Sequence, residues 1–314
     1  MKIVVKNRGG ANVLPDGILL SDSATVKDLK EQFHVLKPKT YPSRQRWTIP
    51  VKTEGSTGTH QKPTVLNKDD QKLSDYGIVD GSTLIFKDLG PQIGYSTVFF
   101  WEYFGPLVIY FLMYLLPTKL IYPSYDGPQM DKSLTQTLAM LYWVGHYAKR
   151  IYETFHIHRF SHATMPLFNL VKNCTYYWCF AGYVGYFVNH PLYTSPPLMQ
   201  TYIALGCSLV CQLCNYKCHV ILSNLRPPGS TEYVIPKGFL FNYITCPNYT
   251  VEILGWVGFT IATQTLTAGI FTLVGAGQMA QWALGKHARL KRTFNGKNGM
   301  PKYPRRWIMM PPIF

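Results

Sequence analysis

The sequence predicts a small α+β head followed by a membrane-embedded all-α helical bundle of about six spans. Three observations predict it. Hydrophobic residues make up 47% of the 314-residue chain and aromatic residues 15%. The apolar residues gather in long runs after residue 90, whereas the first 89 residues alternate strand-like and helix-like segments. Charge divides the same way: residues 1–90 hold 14 Lys+Arg against 10 Asp+Glu, and residues 91–314 hold 17 against 6. Basic connections between apolar runs are the mark of a membrane protein. A nucleic-acid binder would instead concentrate Lys and Arg on a soluble face, and no soluble element is expected after Gly90.

The head is expected over residues 1–89. MKIVVKN alternates and ends at the turn signal Arg8-Gly9-Gly10, and GILLSDS follows as a second strand. Thr25 then caps VKDLKEQFHVL, in which Val26, Leu29, Phe33 and Leu36 recur at helical spacing. RWTIPV reads as a strand, and KLSDYGIVDGSTLIFKDLG closes the unit. The opening MKIVVKN reads as a strand and not as a secretory leader, so the head is expected in the cytosol. This order of elements resembles ubiquitin, especially at Leu73, Tyr76-Gly77-Ile78 and Asp80-Gly81-Ser82-Thr83-Leu84. Gly90 runs on into Pro91, so no conjugatable tail is expected and a docking or stabilising role is.

Residues 90–314 form the second domain. Val98 to Leu116 nearly spans a ~30 Å hydrocarbon core at ~1.5 Å per residue. Further spans are expected at Leu134–Ala148, Thr175–Asn189, Leu198–Gln212 and Val251–Leu284, the last holding one span or two. Lys149, Arg150, Arg159 and Lys172 crowd one connection, and the tail from Lys286 to Arg306 carries eight bases and no acid. These place the 149–173 loop, the C-terminus and the 215–250 stretch on the cytosolic side. The sequons at Asn173 and Asn248 then stay unglycosylated. Seven cysteines, mostly within or beside apolar runs, read as reduced thiols.

Two motifs are set aside. Gly275-Ala276-Gly277-Gln278-Met279-Ala280 matches a dinucleotide fingerprint, but lies inside an apolar helical run where small residues serve close packing. Cys211, Cys214 and Cys218 with His219 read as buried thiols facing a helix, so no metal is expected.

The chemistry gathers between Asn215 and Glu252. Arg226, in the rigid turn Arg226-Pro227-Pro228-Gly229, presents a guanidinium suited to two-point pairing with phosphate. Lys286, His287, Arg289, Lys291 and Arg292 add phosphate-seeking charge, while Asn215, Tyr233, Asn248 and Glu252 suit amides, hydroxyls or a ring. Together they fit a phosphorylated nucleotide entering from the cytosol. Glu102, in the first span, should face the bundle interior, since an ionised group in hydrocarbon costs roughly 3 kcal/mol. Tyr249 follows a proline at the edge of a span, and a phenol beside a carboxyl can polarise a carbonyl.

The stretches FKDLGPQI, WEYFGPL, KRIYETFHIHRFSHATMPLFN, KNCTYYW, NHPLYT, LRPPGS, CPNYTVE, TLVGAGQMAQWALGKH and MPPIF resemble the steroid 5α-reductase superfamily. Within it, they and the ubiquitin-like head are most similar to the trans-2-enoyl-CoA reductases of very-long-chain fatty-acid elongation. The resemblance implies a bundle opening to the cytosol with NADPH inside, in the endoplasmic reticulum membrane beside other elongation enzymes. It implies NADPH contacts at Asn215, Arg226, Tyr233, Asn248 and Glu252, a catalytic Tyr249, and a required acid at Glu102, which would orient Tyr249 or share its proton. His219 stands where steroid reductases carry Asp, and Leu290 where many relatives carry Tyr; His219, Lys286 and His287 complete the cofactor set. Other readings are a steroid reductase, an S-adenosylmethionine-dependent methyltransferase and a non-catalytic membrane scaffold.

Overall fold

In the computed structural model, residues 1–50, 63–128, 130–160, 162–225, 233–297 and 299–314 are described. The chain folds as two units. The first takes in Met1–Gly94 and Thr164–Phe168, the second Tyr95–Ala163 and Asn169–Phe314.

In the first unit, β1 (Lys2–Lys6), β2 (Ile18–Leu19), β3 (Gln45–Ile49), β4 (Thr64–Val65) and β5 (Thr83–Asp88) form one sheet in the order β2-β1-β5-β3-β4. β1 and β5 run parallel at its middle, and the other pairs are antiparallel. Strand alternation sends Ile3 and Val5 inward. There they meet Val26, Leu29 and Phe33 of helix α1 (Val26–Leu36). Phe33, Trp47 and Phe86 close the core, with ring centroids 4.5–5.3 Å apart. A capping box starts α1: Thr25 accepts from the Asp28 amide, and Asp28 accepts from Thr25.

Arg44 grips Asp88 through two hydrogen bonds, of 3.0 and 2.6 Å, joining the start of β3 to the end of β5. The guanidinium holds the Asp88 carboxyl below the usual carboxylate range. A depressed folded-state pKa stabilises above the unfolded value of about 4, and the gain disappears as pH falls through the folded value. Solvent screening keeps the gain at roughly 1 kcal/mol or less. Arg44→Met should therefore speed hydrogen exchange of the β5 amides at pH 7, with the difference from wild type shrinking progressively below pH ~4. Beyond β5, β6 (Gln92–Gly94) pairs antiparallel with β7 (Thr164–Pro166), and the Gln92 amide donates to the Tyr41 hydroxyl at 2.7 Å.

The second unit is helical: α2 (Tyr95–Leu115), short α3 (Thr118–Ile121), α4 (Leu134–His156), α5 (Leu167–Val188), α6 (Leu198–Ser223), α7 (Pro247–Thr263) and α8 (Leu266–Thr293). The expected run 251–284 is two helices. Gln264 adopts a left-handed φ of 46°, ends α7 and turns the chain into α8. Trp143 centres the core, its ring 4.7 Å from Tyr110, 5.1 Å from Trp256 and 5.4 Å from Phe271. Pro106 lies inside α2, where it removes the amide that would bond the Glu102 carbonyl.

α6 and α7 approach closely at Gly258. A Cβ there would stand 2.1 Å from Ser208 Oγ and 2.9 Å from the Ala204 carbonyl oxygen. Ser208 already donates to the Ala204 and Gly255 carbonyls, so it has little room to turn away. Gly258→Ala should cost about 1–3 kcal/mol, read as a lower thermal midpoint of the solubilised protein.

Among the described residues, one helix, Tyr95–Leu115, is both long and apolar enough to cross a bilayer, with mean hydropathy 1.5. This helix suggests a membrane protein. Polar side chains keep several other long helices below that measure. The expected 149–173 loop is the clearest correction. α4 continues to His156 and α5 begins at Leu167, so Lys149, Arg150 and Lys172 are helical. α6 likewise runs eleven residues past Gln212, to Ser223.

Candidate functional site

The added turns of α4 and α6 carry four buried polar side chains, Glu153, Thr154, Asn215 and His219. His146, Lys149, Arg150 and Glu153 recur at i, i+3, i+4 and i+7, which puts them on one face of α4. Gln212, Asn215 and His219 do the same on α6, and Asn248, Glu252 and Trp256 on α7.

Glu153 is fully buried and meets three basic groups. Arg150 stands 3.1 Å away, His219 Nδ1 3.0 Å and Lys149 Nζ 3.2 Å. The Lys149 contact lacks hydrogen-bond geometry, so Glu153 Oε1 keeps an unused acceptor. Lys149 donates instead to Asn215 Oδ1 at 2.6 Å, and Asn215 Nδ2 donates to the Asn248 carbonyl at 3.0 Å. Glu252 accepts from Trp256 Nε1 at 3.1 Å and faces His146 Nε2 at 3.4 Å. The structure thus brings Asn215, His219, Asn248 and Glu252 into one array, whose charges offset one another as buried ions must.

Arg150 extends the array to α2. It donates to the Tyr103 hydroxyl at 2.7 Å, and its guanidinium lies 4.9 Å from the ring centroid. Beside Tyr103, buried Glu102 accepts from Asn173 Nδ2 of α5 at 2.9 Å.

Tyr249 belongs to a second cluster. Pro247 opens α7, and the half-buried Tyr249 ring packs with Cys246, Ile253, Ala283 and Met309. Its hydroxyl accepts from Lys286 Nζ of α8 at 2.7 Å. His287 Nδ1 lies 2.7 Å from Thr245 Oγ1, and Arg289 donates to the Tyr233 hydroxyl at 3.2 Å. The C-terminal segment folds back here: Thr250 Oγ1 donates to the Met309 carbonyl at 2.6 Å, and the Cys246 amide donates to the Ile308 carbonyl.

Glu102 and Tyr249 are not paired. Asn173 holds the first and Lys286 the second, so the expected direct contact between Glu102 and Tyr249 is not among the hydrogen bonds of the described residues. Spacing along the chain does not say which side of a bundle a residue faces. Lys286 and His287, expected to seek phosphate, each have a side-chain partner. Arg226 lies outside the described residues. Sequence reasoning missed His146, Tyr103, Glu153, Asn173 and Gln212, and it read Lys149 and Arg150 only as loop charge. For His146, Lys149, Arg150 and Glu153, helical spacing on α4 was the available signal.

Glu153, His158 and His219 offer ligand atoms within 4.8 Å of one another. Arg150 Nη1 already lies 3.1 Å from Glu153 and 3.3 Å from His219. A metal ion would meet that cation at a cost of roughly 4 kcal/mol per unit charge at 4 Å. The donor set better suits a neutral or anionic guest. His219 also turns to α4, not to the cysteines.

The 3-oxo-5-alpha-steroid 4-dehydrogenase family model matches residues 163–314. The chain is 49% identical over 292 residues to a very-long-chain enoyl-CoA reductase of Dictyostelium discoideum, covering 93% of this chain and 92% of the relative. It is 43% identical over 295 residues to a probable very-long-chain enoyl-CoA reductase of Caenorhabditis elegans, with 91% and 90% covered. A human trans-2,3-enoyl-CoA reductase-like protein is 36% identical over 286 residues, with 88% and 75% covered. Similarity of this depth spans both units, and the chain belongs to the very-long-chain enoyl-CoA reductases, within the steroid 5α-reductase superfamily.

Proposed function

We propose that this protein reduces the C2=C3 double bond of long-chain and very-long-chain trans-2-enoyl-CoA with NADPH, the last step of the fatty-acid elongation cycle. The carrying observation is the buried polar array joining α4, α6 and α7 in a chain so similar to reductases of that name.

The residues fit NADPH by the chemistry of their donors. Glu153 Oε1 is a spare buried acceptor suited to a hydroxyl or a carboxamide N–H. Asn215, His219, Asn248 and Glu252 stand beside it as amide, imidazole and carboxylate partners. Tyr233, His287, Arg289 and Arg226 are assigned to the phosphates and sugar. When bound, the reduced nicotinamide supplies a hydride to C3 of the thioester.

The chain's own task is to manage the charge that then builds on the thioester oxygen. Tyr249 is assigned as the donor to that oxygen and the proton source for C2. One such hydrogen bond in a dry site is worth roughly 3–4 kcal/mol. Glu102 fixes Asn173 on the α2 side, next to the Tyr103–Arg150 bond. The remaining apolar helix faces suit the acyl chain, and the basic end of α8 suits the CoA phosphates.

The protein is further proposed to lie in the endoplasmic reticulum membrane with α2 and α4–α8 as six spans and both termini cytosolic. Its head is proposed to be ubiquitin-like, of the β-grasp type, and to dock onto other elongation enzymes; no nucleic acid is involved. The sheet order and helix α1 packed on the sheet support the ubiquitin-like reading.

Purified protein given NADPH and a long-chain trans-2-enoyl-CoA should lose absorbance at the reduced-nicotinamide band. Consumption with a 3-oxo-Δ4 steroid and none with the thioester would establish the steroid reading instead, which the family model's description favours. No turnover, and no thermal shift on adding NADPH, would leave a scaffold.

A further inference from the structure

We propose that Lys286 is a positioning residue for Tyr249, the two acting as an ammonium–phenol pair; this rests on the reading of Tyr249 as donor. By sequence, Lys286 is one more base in a basic helix end. The structure separates it from its neighbours. Its Nζ lies 2.7 Å from the Tyr249 hydroxyl oxygen and 4.6 Å from the ring centroid. His287 has Thr245 as partner, and Arg289 has Tyr233.

The direction of that hydrogen bond matters. An ammonium carries donors only, so the phenol oxygen must accept. The Tyr249 O–H is then left to point at a different acceptor, as donation to a thioester oxygen requires. The geometry on either side is fixed. The Tyr249 ring packs against the cluster that includes Ala283 of α8, with the Trp282 ring 6.2 Å away, and Lys286 follows Ala283 by three residues on the same helix face.

The pair also completes the proton balance. With a hydride and its electron pair supplied to C3 by a bound reduced nicotinamide, C2 would take the phenol proton. The phenolate left behind faces the Lys286 ammonium, which offsets its charge and returns a proton. The side chain of Lys286 is exposed, so the amine regains its proton from water. One hydride and one water-derived proton have then added across the double bond, and both side chains are restored.

Steady-state kinetics of the purified full-length protein test this with Tyr249→Phe, Lys286→Met, Lys286→Arg and the double variant Tyr249→Phe/Lys286→Met. Lys286→Met should lower kcat about 10- to 100-fold, the size of one charge-assisted hydrogen bond, with the KM for NADPH within about twofold of wild type. Lys286→Arg, which keeps a charged donor, should recover most of the loss. The double variant should be no slower than Tyr249→Phe alone, because removing the lysine matters only while the phenol is present. A raised KM with unchanged kcat in Lys286→Met would make Lys286 a phosphate contact and overturn the pairing. Losses that multiply in the double variant would overturn it too. Full turnover by Tyr249→Phe would remove the donor reading beneath it, a failure distinct from either of these.

Discussion

Tyr249→Phe is expected to lower kcat about 10²- to 10³-fold while NADPH still stabilises the protein against heat as it does the wild type. The substitution removes one oxygen and keeps the ring that packs with Cys246, Ile253, Ala283 and Met309, so the fold should hold. The loss should fall on turnover because the phenol bonds an oxygen whose charge grows only during reaction. A thermal-shift titration with NADPH, run beside the kinetics, separates the two effects. Unchanged kcat would take Tyr249 out of the chemistry.

The second large effect is expected at Glu153. Glu153→Leu leaves Lys149, Arg150 and His219 around a side chain that cannot balance them. Stranding buried charge in this way costs about 3–5 kcal/mol. The variant should show a strongly lowered thermal midpoint and reduced NADPH affinity, since Lys149 also holds Asn215. Adding Arg150→Met to Glu153→Leu should recover part of the stability, because one unbalanced cation is gone. If Glu153→Leu alone is as stable as wild type, the carboxylate does not organise the array.

Legibility from sequence differs between the two units. In the head, period-two and helical patterns coincide with burial. VKDLKEQFHVL is helix α1 residue for residue, and MKIVVKN contains β1. The exception is GILLSDS, in which only Ile18–Leu19 pair as strand, on the sheet edge. In the bundle, apolar runs mark where helices lie but not where they end. A hydropathy reading stops at Lys149 and at Gln212, because charge and amide side chains look like a way out of the bilayer. Both helices continue, because those side chains meet one another across α4, α6 and α7. The site residues between Asn215 and Glu252 were visible as polar groups crowded near membrane depth. Their partners were not. Glu102 with Asn173, and Tyr249 with Lys286, join positions far apart in the chain, and no local pattern encodes such contacts.

The β6–β7 ribbon sets an order on biosynthesis. β6 ends at Gly94, yet its partner β7 spans Thr164–Pro166, after the whole of α2, α3 and α4. While the chain emerges from a ribosome, the N-terminal five-stranded sheet has all its strands early, but the first compact unit stays unfinished until three helices have been translated. Maturation of the amino-terminal part is thereby tied to delivery of α2 and α4, and a nascent chain stalled before Thr164 would hold an unmatched strand at Gln92–Gly94.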